Sequence, residues 1–203
     1  GAATLHPKVK SVDSVDLSES ILKAGNVFSS HNYNVLKSEK VSIILQDGRN
    51  HLLTTQKMYD VITSEPPPPR TAFTVNLYSK EYYELAQKHL NPGGIMTQWI
   101  PLHSQGKQEV LMHFKTFLSV FPHAIAWMPV ANELLIIGSN SKIDIDFEKL
   151  KGRFLDPNVS LAMQEIQIPD AFSFLSNIWF LEDQMSSLAS HQKEITDNWP
   201  FIE

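Results

Sequence analysis

The sequence predicts an α/β fold: a largely parallel sheet with helices on both faces. Short β-branched runs alternate with segments of helical spacing, and that alternation supplies the crossovers that parallel neighbours require. Both faces of such a sheet must be buried, which puts helices on each side. Late in the chain two runs are separated only by Ala131 and Asn132, which predicts an antiparallel hairpin closing the series.

In order, alternating apolar residues in "VKSVDSVDL" (9–17) predict a first strand. "SESILKAGNVF" follows, with Ser18 as helix cap and Ile21, Leu22 and Val27 at helical spacing. "VSIIL" (41–45) is a second strand, "DGR" a turn, and "HLLTTQ" one or two helical turns. "YDVIT" is a third strand. After a loop, "YSKEYYELAQKHL" places Tyr82, Leu85, Ala86 and Leu90 on one helical face, and "NPGG" (91–94) is expected to stop that helix. "IMTQWI" is a fourth strand, and "QEVLMHFKTFLSVF" (108–121) an amphipathic helix ended by Pro122. "AIAWMPV" and "ELLIIGS" form the hairpin. From Lys142 onward only helical patches are expected, so the division is an α/β domain over 1–140 and a helical extension over 141–203 packed on it.

The chain has 203 residues, 42% hydrophobic and 19% charged, which suits one globular domain or a domain with an appendage. A net charge of −5 with scattered Lys and Arg lacks the electrostatic footprint of a nucleic-acid binder. With no cysteine there is no disulfide, thiolate metal site or cysteine nucleophile. The eight histidines show neither H-x-x-x-H nor HExxH spacing, so no metal is expected. No run approaches the apolar length of a membrane helix. The expectation is a soluble, cytoplasmic chain that makes no membrane contact and takes a small-molecule substrate.

The ordered set "VDSVDLS", "VSIILQDGRNHLL", "YDVITSEPP", "LYSKEYYELAQKHLNPGGIMTQW" and hairpin resembles the class I S-adenosylmethionine-dependent methyltransferase fold, and within it the spermidine synthase-like branch. Leu77, Tyr78, Glu81, Tyr82, Tyr83, Leu90, Pro92, Gly93 and Gly94 follow that branch's "LY-x-x-E-F-Y…L-x-P-G-G" pattern, and "TDNWPFIE" (196–203) resembles the ending of some bacterial members. The resemblance implies a three-layer α/β/α Rossmann-like sheet whose site lies at the carboxyl ends of the strands. It implies aminopropyl transfer from decarboxylated S-adenosylmethionine to a polyamine in the intact protein. A methyltransferase using S-adenosylmethionine on another acceptor, or a non-catalytic degenerate domain, remains open.

Residue by residue, the resemblance gives Asp16 the ribose hydroxyls and Asp47, with Gly48, the adenine. Read by themselves, Asp16 is a strand-end acid, Asp47 part of an Asp-Gly turn, and Asp13 a solvated side chain. Glu65 falls on the first acid of the branch's D-x-x-D-type loop and is the candidate base; the second acid falls on Pro68. The four prolines form a stiff lip, and Arg70 adds a cation where a diamine would dock. Gln98, Trp99, His103 and Tyr78 are assigned to the acceptor pocket. Asp197 and Glu203 either cover the site or cap the domain.

The branch places a first strand and a glycine-rich loop before the position of Gly1, whose backbone amides hold the cofactor. Three outcomes are therefore open: a fragment, strands that close the gap, or a homodimer in which a second copy supplies a strand. Weak or no binding of S-adenosyl ligands is expected of this polypeptide alone.

Overall fold

The structure, a computed structural model, describes residues 1–202, with the backbone alone at Leu22. The chain divides into two compact units, one of residues 1–55 and 146–171, the other of residues 56–145 and 172–203.

In the first unit, β1 (Val12–Asp16) and β2 (Val41–Leu45) pair in parallel, with Asp16 opposite Leu45. β1 is shorter than the alternation suggested, because Val9 to Ser11 have no strand to pair with. Between the two strands, α1 (Glu19–Ala24) starts after Ser18, whose hydroxyl accepts the Ile21 N–H at 3.4 Å. After β2, α2 (Gly48–Thr54) begins at once: Asp47 accepts the Asn50 N–H at 2.8 Å as its N-cap. The expected "DGR" turn is therefore the first turn of a helix. A short polar side chain that can cap serves either motif, so local sequence does not separate them.

The second unit holds a five-stranded sheet in the order β3-β4-β6-β5-β7. β3 (Tyr59–Ser64) lies parallel to β4 (Leu90–Pro101), and α3 (Lys80–Lys88) is their crossover, capped by Ser79, which accepts the Tyr82 N–H. "NPGG" does not end in a loop. It forms an irregularity at the start of β4, where register jumps from Tyr59↔Leu90 to Val61↔Ile95. Two glycines make this feasible. Gly93 has φ of 75°, and a Cβ on Gly94 would lie 2.9 Å from the Asn91 carbonyl oxygen and 3.2 Å from those of Tyr59 and Asp60.

α4 (Lys107–Leu118) leads to the predicted hairpin of β5 (His123–Val130) and β6 (Glu133–Ser139), turned by Asn132 in the left-handed region at φ 68°. Along β4, Met96, Gln98 and Ile100 are buried on one face, as are Leu134 and Ile136 of β6. α3 and α4 cover that face with Tyr83, Phe114 and Phe117; the Tyr83 and Phe117 rings meet edge to face at 5.0 Å. Each such ring contributes on the order of 2 to 3 kcal/mol through burial.

The remainder is divided between the units. α5 (Phe147–Arg153) and α6 (Pro157–Glu165) belong to the first, and α7 (Ala171–Ser176) falls at the boundary. β7 (Ile178–Phe180) and α8 (Glu182–Leu188) belong to the second. β7 corrects the expectation that no strand lies beyond the hairpin. Its three residues sit in a helix-like run, and only pairing with Ala126 and Trp127 of β5 draws them out straight.

Candidate active site

Two acidic residues close the carboxyl end of the β1–β2 pair. Asp16 is the last residue of β1, and its backbone carbonyl accepts the Gln46 N–H at 3.1 Å, which brings the Asp47 turn alongside. Each carboxylate is half used. Asp16 Oδ1 accepts the Ser18 N–H at 2.7 Å and Asp47 Oδ1 the Asn50 N–H at 2.8 Å, leaving Oδ2 on each without a protein donor among the described residues. A Cβ on Gly48 would meet nothing within 4 Å, so the space beside this turn is open. Two carboxylate oxygens fixed by backbone donors at one strand end suit a polyhydroxyl or amino ligand, because each is oriented and still able to accept.

In the second unit the chain leaves β3 at Ser64, which is buried and receives the Tyr82 hydroxyl at 3.2 Å. Glu65 follows, exposed, with no hydrogen bond or ion pair among the described residues. The prolines beyond it are pinned. The phenol of Tyr78, itself fully buried, donates to the carbonyls of Pro66 at 3.3 Å and Pro67 at 3.1 Å. The Pro68 carbonyl accepts the Thr71 N–H at 2.8 Å and the Thr74 hydroxyl at 2.9 Å. Arg70 reaches Glu109 on the first turn of α4, at 2.5 Å, and Glu109 also accepts the Gly106 N–H at 2.6 Å. Burial works to raise the Glu109 pKa, but the Gly106 N–H and the Arg70 guanidinium more than offset it and hold the carboxyl below its ordinary value.

The expected pocket residues are not gathered into one open pocket. Tyr78 is enclosed, its hydroxyl pKa pushed up by burial, and it reaches the lip only from behind. Gln98 is fully buried on the face covered by α3 and α4, opposite Ser64 in register; its amide donates to the Trp99 carbonyl and its Oε1 has no partner. Trp99 points to the other face, where its indole N–H donates to Glu133. His103 lies exposed in a short turn, Leu102–Ser104, beyond the end of β4. Asp197 belongs to the tail that caps the domain: its N–H donates to Glu81 at 3.0 Å, while the Ile195 N–H donates to Thr116 at 2.8 Å. Glu203 lies outside the described residues.

Glu109, Thr74 and Gln105 went unnoticed in the sequence, and His113 was considered only among histidines whose spacing does not suit a metal. His113 is fully buried against Tyr78, ring centroids 5.1 Å apart, and shares a 2.7 Å hydrogen bond with Gln105 Oε1. Since Gln105 Nε2 donates to the Pro101 carbonyl, its Oε1 is an acceptor, and His113 must donate through Nε2. Burial lowers the His113 pKa to about 3. Only the Glu109 position carried a signal, an acid three residues after a glycine at a helix start.

A family model described as the spermine/spermidine synthase domain matches residues 3–149. The chain belongs to that family. A polyamine aminopropyltransferase of Methanocaldococcus jannaschii is 36% identical over 93 residues, 46% of this chain and 31% of that protein. One from Archaeoglobus fulgidus is 21% identical over 161 residues, covering 77% of this chain and 59% of its own. Spermidine synthase of Thermotoga maritima superposes with a TM-score of 0.69 at 14% identity, over 92% of this chain and 62% of its own. Human methyltransferase-like protein 13 superposes at 0.52 with 12% identity, over 93% of this chain and 75% of its own. The chain thus spans about a third to three-fifths of the length of these two curated relatives. The fold of this spermine/spermidine synthase family member is the mixed α/β, methyltransferase-like architecture with flanking helices. Among the described residues no group of acidic or histidine side chains is arranged to hold a metal. Nor, among them, is any helix long and apolar enough to cross a membrane.

Proposed function

We propose that the protein carrying this chain transfers the aminopropyl group of decarboxylated S-adenosylmethionine to an amine, with Glu65 as the base. The observation that supports this is the state of Glu65: an exposed carboxylate at the carboxyl end of β3, without a hydrogen-bond or ion-pair partner among the described residues, on a lip pinned by Tyr78 and Thr74. The sulfonium donor supplies an activated carbon. The amine lone pair forms the new N–C bond, the C–S bond breaks with its electrons going to sulfur, and the nitrogen's extra proton passes to Glu65. Within the first unit, the Oδ2 atoms of Asp16 and Asp47 are the acceptors proposed for the nucleoside. Within the second, the pinned lip fixes how Glu65 is presented.

The test is product mass from decarboxylated S-adenosylmethionine and, separately, from S-adenosylmethionine, with each of several amines. An aminopropylated amine is expected only with the first donor. Glu65→Gln should lower turnover by about 10²- to 10⁴-fold while circular dichroism stays unchanged. Methylated product from the second donor alone would move the assignment to a methyltransferase. Turnover indifferent to both Glu65→Gln and Asp16→Asn would leave a domain kept for assembly.

A further inference from the structure

The segment after α8 packs on α3 and α4 and is anchored along its inner side. Ile195 and Ile202 are buried in one apolar cluster with Val75 and Met112, the Ile195 N–H donates to Thr116 at 2.8 Å, and Glu194 pairs with Lys80 at 2.8 Å. Between the two isoleucines the chain makes a tight turn, closed by the Trp199 N–H on the Thr196 carbonyl at 3.0 Å. The outer side of this turn shows two large rings to water. Trp199 is 65% exposed and Phe201 44%, and they lie 19° from parallel with centroids 6.1 Å apart. The Lys193 ammonium sits 4.6 Å from the Phe201 ring centre, and Lys115 of α4 lines the same open groove of about 480 Å³.

We propose that this groove binds a purine nucleotide, with the base stacked on Trp199 and the phosphate held between Lys115 and Lys193. A ring already fixed by an anchored turn gives up little freedom when a flat base stacks on it. Two ammonium groups match the double charge of a monophosphate near neutral pH. Gln192 and Thr196, which also line the groove, carry side chains able to bond ribose hydroxyls. The one carboxylate of the lining, Glu194, is balanced by Lys80. A cationic ligand would meet both lysines head on, and a purely apolar one would use the rings and waste the charge. The groove shares no residue with Asp16 and Asp47, which belong to the first unit.

The test follows the four tryptophan indole N–H resonances of the isotope-labelled full-length protein as adenosine monophosphate is added. The Trp199 resonance is the one absent from Trp199→Leu, or displaced in Trp199→Phe should the first variant not fold. It is expected to shift saturably with a Kd below about 1 mM. Lys115→Ala and Lys193→Ala should each raise that Kd by about five- to tenfold. Adenosine and ribose phosphate, each lacking half of the ligand, should bind about tenfold more weakly than the nucleotide. Asp16→Asn should leave the Trp199 shift as it is. A Trp199 resonance that stays still up to about 10 mM nucleotide overturns the proposal. So does a shift that ribose phosphate reproduces at equal concentration, or one that Asp16→Asn abolishes. A dimer that Trp199→Leu dissolves and the nucleotide leaves intact would give this face to a second copy and overturn it as well.

Discussion

The Arg70 guanidinium and the Glu109 carboxylate meet at 2.5 Å, and the same carboxylate takes the Gly106 N–H at 2.6 Å, so one acid both ties down the end of the proline lip and caps α4. The cation that follows the prolines in sequence is therefore part of the scaffold, and Glu65 is left as the lip's chemically available charge.

This double role predicts unequal losses. Arg70 is 57% exposed, so Arg70→Ala should cost only about 0.5 kcal/mol in urea denaturation, within the range of exposed ion pairs. Glu109→Ala also removes a helix cap and should cost about 1 to 2 kcal/mol. Equal losses from the two substitutions would show that the cap contributes nothing.

Tyr78→Phe keeps the ring against His113 and removes the donor to Pro66 and Pro67. Leaving those carbonyls unpaired should destabilise the second unit by about 1 to 3 kcal/mol. It should also speed amide exchange at Glu65, Arg70 and Thr71, the lip's exchangeable positions. Unchanged exchange at all three would mean that the prolines hold the lip without the phenol.

His113 gives the fold an acid limit. Its folded pKa of about 3 lies below the ordinary 6.5, so the native state refuses a proton that the unfolded chain accepts. Its contribution to stability is intact above about pH 6.5 and is lost progressively as pH falls toward 3, at up to about 1.4 kcal/mol per pH unit. Urea melts of the wild type and His113→Phe between pH 7 and 4 should differ in slope by that amount. Parallel slopes would place the histidine in a more hydrated setting.

Gly138 lies under α4, and a Cβ there would fall 2.3 Å from the Phe117 ring and 2.9 Å from Phe121 Cβ. Gly138→Ala should therefore cost about 1 to 3 kcal/mol through overpacking, detectable as a lower thermal midpoint. Adding Phe117→Leu should recover part of the loss by making room.

Much of the fold was legible before any coordinates. The β-branched runs at 41–45 and 59–63, the helix that Ser79 caps and the hairpin at Asn132 follow from patterns whose causes are local: side-chain periodicity, a capping hydroxyl, a residue that tolerates positive φ. Asp16, Asp47 and Glu65 were legible as acids at strand ends for the same reason.

What sequence alone could not supply is who meets whom across the chain. β7 exists because β5 presents an edge at Ala126 and Trp127, and the NPGG segment joins β4 because Gly94 fits against the Tyr59 and Asp60 carbonyls. Tyr78, Gln98 and Trp99 had the right residue types for a pocket, yet sheet faces and helix packing direct one to the lip's carbonyls, one into the core and one to Glu133. Sequence determined the elements and the acids at their ends, since those depend on neighbours within a few residues. Tertiary structure decided which charges remained free, because pairings such as Arg70 with Glu109 depend on elements distant in the chain.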